Sequence, residues 1–430
     1  KSSTDMNFQD PTRDTFAGPG ALTVDHNGNL WVSDHSLEFM GNRRLLRYDK
    51  LSIQWNGASV LYGASTGAVP VVNPETGMNV EAAAVFGTGG SFTALGCFDV
   101  NGICGPWGTA FNSTDGKMVL GQDSQKGNFT PFPRIFDKPL LGENLFGELS
   151  DFGKQSWSAT FDDQDNLYTL NLNRNRLLIY KRPFPDTCLP PVTSCPPLSG
   201  SSCNLDPAWH TDGILGGMGS NQNVFGIVTD SSQAYLALRV VGSGPNGGIS
   251  IRNREDGSPV GFIDTNSNPF GIAQDASRRL YVAENIQHRI SEYDPCLRVK
   301  VGNSLGSGGT GNGQFTFPKG IWVNPAGTVL FVSEEGDRVQ RFARPDVSSD
   351  FTYTSQLGVG SDANGVGGIM DPDDLWNPEG IVVFEGALPG VQRTTLDVVY
   401  VADTGNGRIQ KWVEKDTSPT LPKEYLPVIT

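Results

Sequence analysis

The 430-residue chain carries 46 acidic and 32 basic side chains, a formal charge of −14. That balance argues against nucleic-acid binding, which needs basic surface, and against docking on an anionic membrane. Apolar residues make up 37% and charged residues 18%, ample for a core, yet no apolar run approaches a membrane span.

With 53 glycines, 28 prolines and no long segment of 3.6-residue periodicity, the chain reads as many short strands and turns. It opens KSSTDMNFQD, with neither Met nor an apolar leader, as expected after removal of a signal peptide. In chain order, one layout recurs: an apolar run, an acid, a few polar residues, Arg, and a strand ending in an aromatic. It occurs at LWVSDHSLEFMGNRRLLRY (30–48), LYTLNLNRNRLLIY (167–180), LYVAENIQHRISEY (280–293), LFVSEEGDRVQRF (330–342) and VVYVADTGNGRIQKW (398–412). GPWGTAFNSTDGKMVLGQD (105–123) and NVFGIVTDSSQAYLALR (223–239) are looser copies. Each has a turn and a further strand before or within it. A weaker strand ending in Gly follows in most units, as in SVLYGASTG, LLGENLFGELS, DGILGGMGS, VGFIDTNS, RVKVGNSLG and YTSQLGVG.

Seven anchors for the first strand of each unit follow: Gly20, Gly108, Ser158, Gly226, Gly271, Gly320 and Gly380. Four antiparallel strands repeated radially is the β-propeller plan, an all-β fold. Runs such as VVYVA, apolar on both faces, suit strands sandwiched between blades. The whole of 1–430 is expected to be one propeller, with a Cys/Pro-rich insertion at 183–220 and a tail at 413–430. The last unit needs an outer strand, from MNFQDP near the start or EYLPVIT at the end, and whichever is unused could add to a neighbouring molecule's sheet edge.

The stretches FPKGIWVNPAGTVLFVSEEGDRVQRF, NPFGIAQDASRRLYVAENIQHRISEY and NPEGIVV with VVYVADTGNGRIQKW, together with the linker GSGGTGNGQFTFPKG, resemble the NHL-repeat β-propellers over nearly the whole chain. Members commonly have six blades; the seven anchors favour seven here. The resemblance implies binding of other macromolecules on one face of the disc, some members being enzymes.

Asp403-Thr404-Gly405 has the spelling of an aspartic-protease motif, but a dyad needs a second such tripeptide. Asp403 instead shares its slot with Asp34, Glu284 and Glu334, and catalytic residues do not recur once per structural unit. The pairs Asp403/Arg408, Glu284/Arg289 and Glu334/Arg338 read as partly buried contacts holding the turn between the second and third strands. Gly63-Ala64-Ser65-Thr66-Gly67 and Gly302-Asn303-Ser304-Leu305-Gly306 match the G-x-S-x-G nucleophile spacing without the helix that the motif requires. GSGGTGNG (306–313) lacks the Lys-Ser/Thr of a phosphate loop and reads as a connection between blades.

The chain also resembles, more distantly, the secreted amidating lyases that hold zinc with histidines around a propeller channel. His35 and His288 fall near ligand positions of that family, whereas His26 lies in a turn and His210 in the insertion. Asn268-Pro269-Phe270-Gly271 and Asn377-Pro378-Glu379-Gly380 stand where that family has His before Gly, so a three-His zinc site is disfavoured. Calcium is the other metal weighed: Asp371, Asp373, Asp374 and Glu379 form an acidic stretch without the spacing of an EF-hand, and a solvated loop is favoured. Cys97, Cys104, Cys188, Cys195, Cys203 and Cys296 lack metal-site spacing and read as disulfide staples of an extracellular protein, with their pairing open. Asn112 and Asn128 begin glycosylation sequons. The function expected is a secreted, non-catalytic binding or structural module without a cofactor. It would contact protein partners, or copies of itself in a layer, matrix or filament, through its tails and insertions. The alternative is an extracellular lyase or hydrolase with a metal-assisted site at the channel mouth.

Overall fold

The computed structural model describes residues 19–25, 27–35, 43–48, 59–63, 84–86, 106–111, 118–122, 134–137, 144–148, 156–171, 176–180, 222–240, 247–254, 259–358, 375–384, 398–406, 408–414 and 425–426. Within them the repeat copies fold as antiparallel strands. The first sheet joins β1 (Pro19–Val24), β2 (Leu30–His35) and β3 (Arg43–Tyr48); the chain then forms β4 (Ser59–Gly63) elsewhere and returns with β5 (Ala84–Phe86). The second holds β6 (Pro106–Phe111), β7 (Met118–Gln122), β8 (Arg134–Asp137) and β9 (Asn144–Glu148), and the third β10 (Ser156–Phe161), β11 (Leu167–Asn171) and β12 (Arg176–Tyr180). The fourth comprises β13 (Gln222–Thr229), β14 (Gln233–Val240), β15 (Gly247–Asn253) and β16 (Pro259–Ser267). The fifth comprises β17 (Pro269–Gln274), β18 (Leu280–Glu284), β19 (Arg289–Asp294) and β20 (Val299–Leu305). The sixth comprises β21 (Pro318–Val323), β22 (Val329–Glu334), β23 (Arg338–Ala343) and β24 (Thr352–Leu357). The last holds β25 (Ile381–Phe384), β26 (Val398–Asp403), β27 (Arg408–Glu414) and β28 (Tyr425–Leu426).

The first strands of successive sheets pack side by side in the order β1, β6, β10, β13, β17, β21, β25, and β25 returns to β1. This closed ring of innermost strands, with meandering antiparallel sheets radiating from it, is a β-propeller. The second strands show why their sequence is apolar on both faces. Leu280 and Val282 pack with Tyr235, Ile249 and Ile251 of the fourth sheet. Tyr281 and Ala283, on the opposite face, pack with Leu330, Val332 and Phe342 of the sixth. Phe331 in turn meets Val399, Val401 and Trp412 of the last. Burying one such side chain contributes about 1.5–3 kcal/mol, so each interface between sheets is a small core.

The hairpins between first and second strands share a device that ties turn to core. Asp275 Oδ1 accepts the Arg279 N–H while its Oδ2 accepts the Tyr281 hydroxyl at 2.9 Å. The same carboxylate-to-aromatic bond joins Asp25 to Trp31 Nε1 (2.9 Å), Asp162 to Tyr168 (3.1 Å) and Asp230 to Tyr235 (2.7 Å). Burial and the neighbouring carboxylates hold the hydroxyls of Tyr235 and Tyr281 well above the usual phenol range.

Register corrects one anchor. Pro269 pairs with Glu284 and Ile272 with Val282 across a bulge, and Pro318/Ile321 and Pro106/Thr109 do the same. In β1 the equivalent pair is Pro19 and Leu22, so Gly20 occupies the position of Phe270 and Lys319, and Ala21 that of the glycine. The glycine has a steric reason: a Cβ on Gly271 would lie 2.3 Å from the Lys319 carbonyl oxygen, and one on Gly320 2.4 Å from that of Glu379. A Cβ on Gly380 would lie 2.7 Å from the Gly20 carbonyl oxygen, where the last innermost strand meets the first.

Closure also differs from expectation. SVLYG does not finish the first sheet; β4 crosses to the last one and pairs with β27, Lys411 opposite Ser59 and Ile409 opposite Leu61. The first sheet is completed by β5, with Leu45 opposite Phe86. Along the same edge of β27, Tyr425 and Leu426 pair with Glu414 and Val413. The outer strand of the last sheet is thus shared by two segments, one of them outside both expected sources. MNFQDP and DGILGGMGS lie outside the described residues.

Candidate functional site

The acids in the recurring slot are structural. Glu334 is fully buried and accepts Arg338 Nε at 2.6 Å and Gln340 Nε2 at 2.7 Å, with the Thr316 N–H on its second oxygen. Burial pushes its carboxyl up despite the Arg338 charge. Arg338 also donates to the carbonyls of Thr310, Gly311 and Gln314, binding the linker GSGGTGNG to the sheet. Glu284 pairs with Arg289 Nε and accepts the Tyr293 hydroxyl. Asp403 accepts the Trp376 N–H at 2.6 Å and Gln410 Nε2 at 3.0 Å. The Asp-Thr-Gly spelling therefore marks a strand end and a short 3-10 turn at Thr404–Asn406; Arg408 faces Asp403 in register, its side chain lying outside the described residues. Asp34, also fully buried, stands opposite Arg44.

Ser304 lies within β20, its hydroxyl bonded to Ser291 at 2.8 Å and to Lys300 Nζ at 2.6 Å, with no elbow into a helix. The His288 ring stacks on Phe317 with centroids 4.5 Å apart, and its Nδ1 accepts the Phe317 N–H. Glu379, the other described member of the proposed metal sets, lies 3.5 Å from Lys319 Nζ. Among the described residues no group of three or more His, Cys, Asp or Glu gathers as a metal site. His35 ends β2, opposite Arg43, with its side chain outside the described residues. His26, His210, Asp371, Asp373, Asp374, Asn112, Asn128 and the first five cysteines also lie outside them. Cys296 is exposed in the turn after β19, its N–H donating to Asp294, and it has no disulfide partner among the described residues.

One register position of the innermost strands carries varied residues around the ring. It is the residue just before the close-approach glycine, where the innermost strands begin. Register places Gly20, Trp107, Trp157, Phe225, Phe270, Lys319 and Glu379 there in ring order. In the sixth sheet the position is Lys319. Its Nζ lies 3.0 Å from Glu335 in the turn after β22, 3.5 Å from Glu379 and 2.9 Å from Asn377 Oδ1. The strand starts and the turns after the second strands therefore share one end of the ring, its mouth. Burial pushes the Glu379 carboxyl above its ordinary value, against the pull of Lys319. Phe317 and Trp376, in the linkers entering the sixth and last sheets, are 37% and 40% exposed beside this end, and Phe317 holds φ 50°, unfavourable for a bulky side chain. Exposed rings in the entering linkers thus stand beside the Lys319–Glu379 pair at this end, and the same register position is aromatic in the four innermost strands before them. Sequence reasoning missed it, although Pro-x-Gly around Trp107, Phe270, Lys319 and Glu379 was there to read.

No protein-family model matches the chain, and no curated protein matches its sequence. Among solved structures it is similar to virginiamycin B lyase from Staphylococcus aureus. The selenomethionine-substituted form has a TM-score of 0.46 at 13% identity, covering 93% of this chain and 96% of that chain. A catalytically inactive variant with quinupristin has a TM-score of 0.49 at 14% identity, with the same coverage. Beyond the β-propeller, which the closed ring of sheets shows, the NHL-repeat resemblance rests on the sequence.

Proposed function

We propose that this chain is a non-catalytic, NHL-type binding module of an extracellular structure, recognising its partner at the mouth of the inner ring. One observation carries the reading: the residue after the mouth position stays small, Ala, Gly or Ser, while that position runs from Gly through Trp and Phe to Lys and Glu. Variation placed on a rigid ring end is how repeat folds build recognition surfaces. The extracellular setting rests on the cysteine pattern of the sequence. Tails and insertions supply the surfaces for self-association into a layer, matrix or filament.

Light scattering of the natively isolated protein tests the assembly part. A species far above the 46.2 kDa chain mass is expected, and a clean monomer removes self-assembly from the proposal. Pull-down with Trp157→Ala and Lys319→Met chains tests the mouth: partner capture is expected to fall with either, and unchanged capture by both overturns recognition there. A specific observation favours the enzymatic alternative. Glu379, held towards its protonated form by burial beside Lys319, has the character of a catalytic acid. Stoichiometric metal after dialysis, with lyase or hydrolase activity lost in Glu379→Gln, would establish that reading instead.

A further inference from the structure

We propose that the edge of β27 at Arg408–Lys411 is a docking edge for a second copy of this chain, whose β4 takes the place of the chain's own. The inference rests on the self-association part of the proposed function and names its contact. A strand and an edge from different sheets are brought together. β4 leaves the first sheet after β3 and pairs with β27, Gly63 opposite Arg408, Leu61 opposite Ile409, Val60 opposite Gln410 and Ser59 opposite Lys411. The sheet it leaves loses nothing, because β5 pairs with β3 and completes four strands. The sheet it joins depends on it, because β28 pairs with only Val413 and Glu414. Without β4 the ladder groups of Arg408–Lys411 would stand open, and an open row of N–H and C=O groups takes up another strand.

Exchange between copies preserves every pair. A strand from a neighbour makes the same contacts as the chain's own, so the connections and the protein concentration set the balance. Ten residues (49–58) precede β4 and twenty (64–83) follow it. Even the shorter stretch spans up to roughly 35 Å when extended. Donor strand and acceptor edge lie at different places on each chain. Copies therefore join head to tail, closing as a reciprocal pair or continuing as a filament. The strand SVLYG carries no charge, whereas the whole chain carries −14. Repulsion between copies opposes the encounter and is screened by salt, so assembly should grow as ionic strength rises.

The test uses the full chain carrying both Ser59→Cys and Lys411→Cys, positions opposite each other in register and so within reach of a disulfide. Oxidation at high dilution with copper phenanthroline seals each chain's own β4 onto its β27, and peptide mass mapping confirms the bond. On concentration, light scattering of the parent, oxidised alike, should rise at least about twofold above the 46.2 kDa chain mass, while the sealed chain stays at that mass. Mixing the two single variants before oxidation should give a covalent two-chain product that neither variant forms alone. A sealed chain that assembles like the parent overturns strand exchange, as does the absence of the mixed product. Leu61→Pro, which removes an N–H from the β4 pairing, gives a reading that does not alter Lys411. It should lower assembly, with Leu426→Pro in β28 as the control, and equal assembly by both variants overturns the proposal. If the sealed chain assembles, self-association stands and only strand exchange fails. If the parent is a monomer at every concentration, self-association fails and exchange fails with it.

Discussion

The fifth and sixth sheets fill the same slots with different residues, and the way they differ separates structure from function. In the fifth, the hairpin acid Asp275 accepts the Tyr281 hydroxyl. In the sixth, the aromatic is Phe331, which has no donor, and the turn residue is the neutral Asn324, bonded instead to the N–H groups of Thr328 and Val329 at 2.7 and 2.9 Å. A buried carboxylate needs donors, so losing the hydroxyl goes with losing the charge. The slot at the second strand's end behaves alike. Glu284 takes Arg289 and Tyr293, whereas Glu334 takes Arg338 and Gln340. At the mouth position the exchange is Phe270 for Lys319, and the new charge is met by Glu335 and Glu379 at the ring end rather than by a compensating partner within the sheet's core. Changes inside the sheets are matched within the sheet; the charge of Lys319 is matched at the ring end.

The largest test of that contrast is Glu334→Ala. It leaves the Arg338 side chain, only 4% exposed, without its carboxylate, and should cost about 3–5 kcal/mol by chemical denaturation. Glu284→Ala should cost clearly less, because Arg289 is a third exposed and its guanidinium can turn to water. Equal losses would show that the two slots are not graded by burial.

Next in size, Gly271→Ala and Gly320→Ala each force a Cβ against a neighbouring carbonyl, and about 1–3 kcal/mol should be lost. A neutral result would mean that the innermost strands are spaced more loosely than described. Tyr281→Phe should cost about 1–2 kcal/mol by stranding Asp275 Oδ2 and removing an acceptor from Arg344 Nη2. Adding Asp275→Asn, which copies the sixth sheet, should recover part of that loss. If the double variant is no better than the sum of the singles, the compensation argument fails.

The smallest expected effect is on pH dependence. Glu379 is raised from its ordinary value of 4.5 by burial. A carboxyl raised on folding contributes stability that is fully present below the unfolded value and lost as pH rises through the folded one. Glu379→Gln should therefore flatten the slight fall in stability on the alkaline side of 4.5; an unchanged slope would place the carboxyl in water.

Strand existence was legible because sandwiched strands leave continuous apolar runs, as in LYVAE, buried at every position. The turns were legible from their Asn, Asp and Gly. The Gly20 anchor was misplaced because Pro-Gly-Ala and Pro-Phe-Gly look offset by one residue until cross-strand register fixes them. The excursion of β4 was illegible: SVLYG reads as a local outer strand, and only pairing with a partner more than 300 residues away along the chain reveals its destination. The aromatic-acid ties left a signal that was overlooked, an acid six residues before Trp31, Tyr168 and Tyr281. The mouth stayed hidden because its residues are ordinary ones; their equivalence appears only once the strands are set in a ring.

A mouth position that serves recognition and not the fold should tolerate truncation. The most direct measurement is the unfolding free energy of Trp107→Ala and Trp157→Ala by denaturant titration, beside Gly320→Ala as the structural control. Both tryptophan variants should stay within about 1 kcal/mol of the parent, with the glycine variant falling below them. A loss of about 3–5 kcal/mol in the tryptophan variants, the cost of truncating a buried aromatic, would show that these positions are core and not recognition surface.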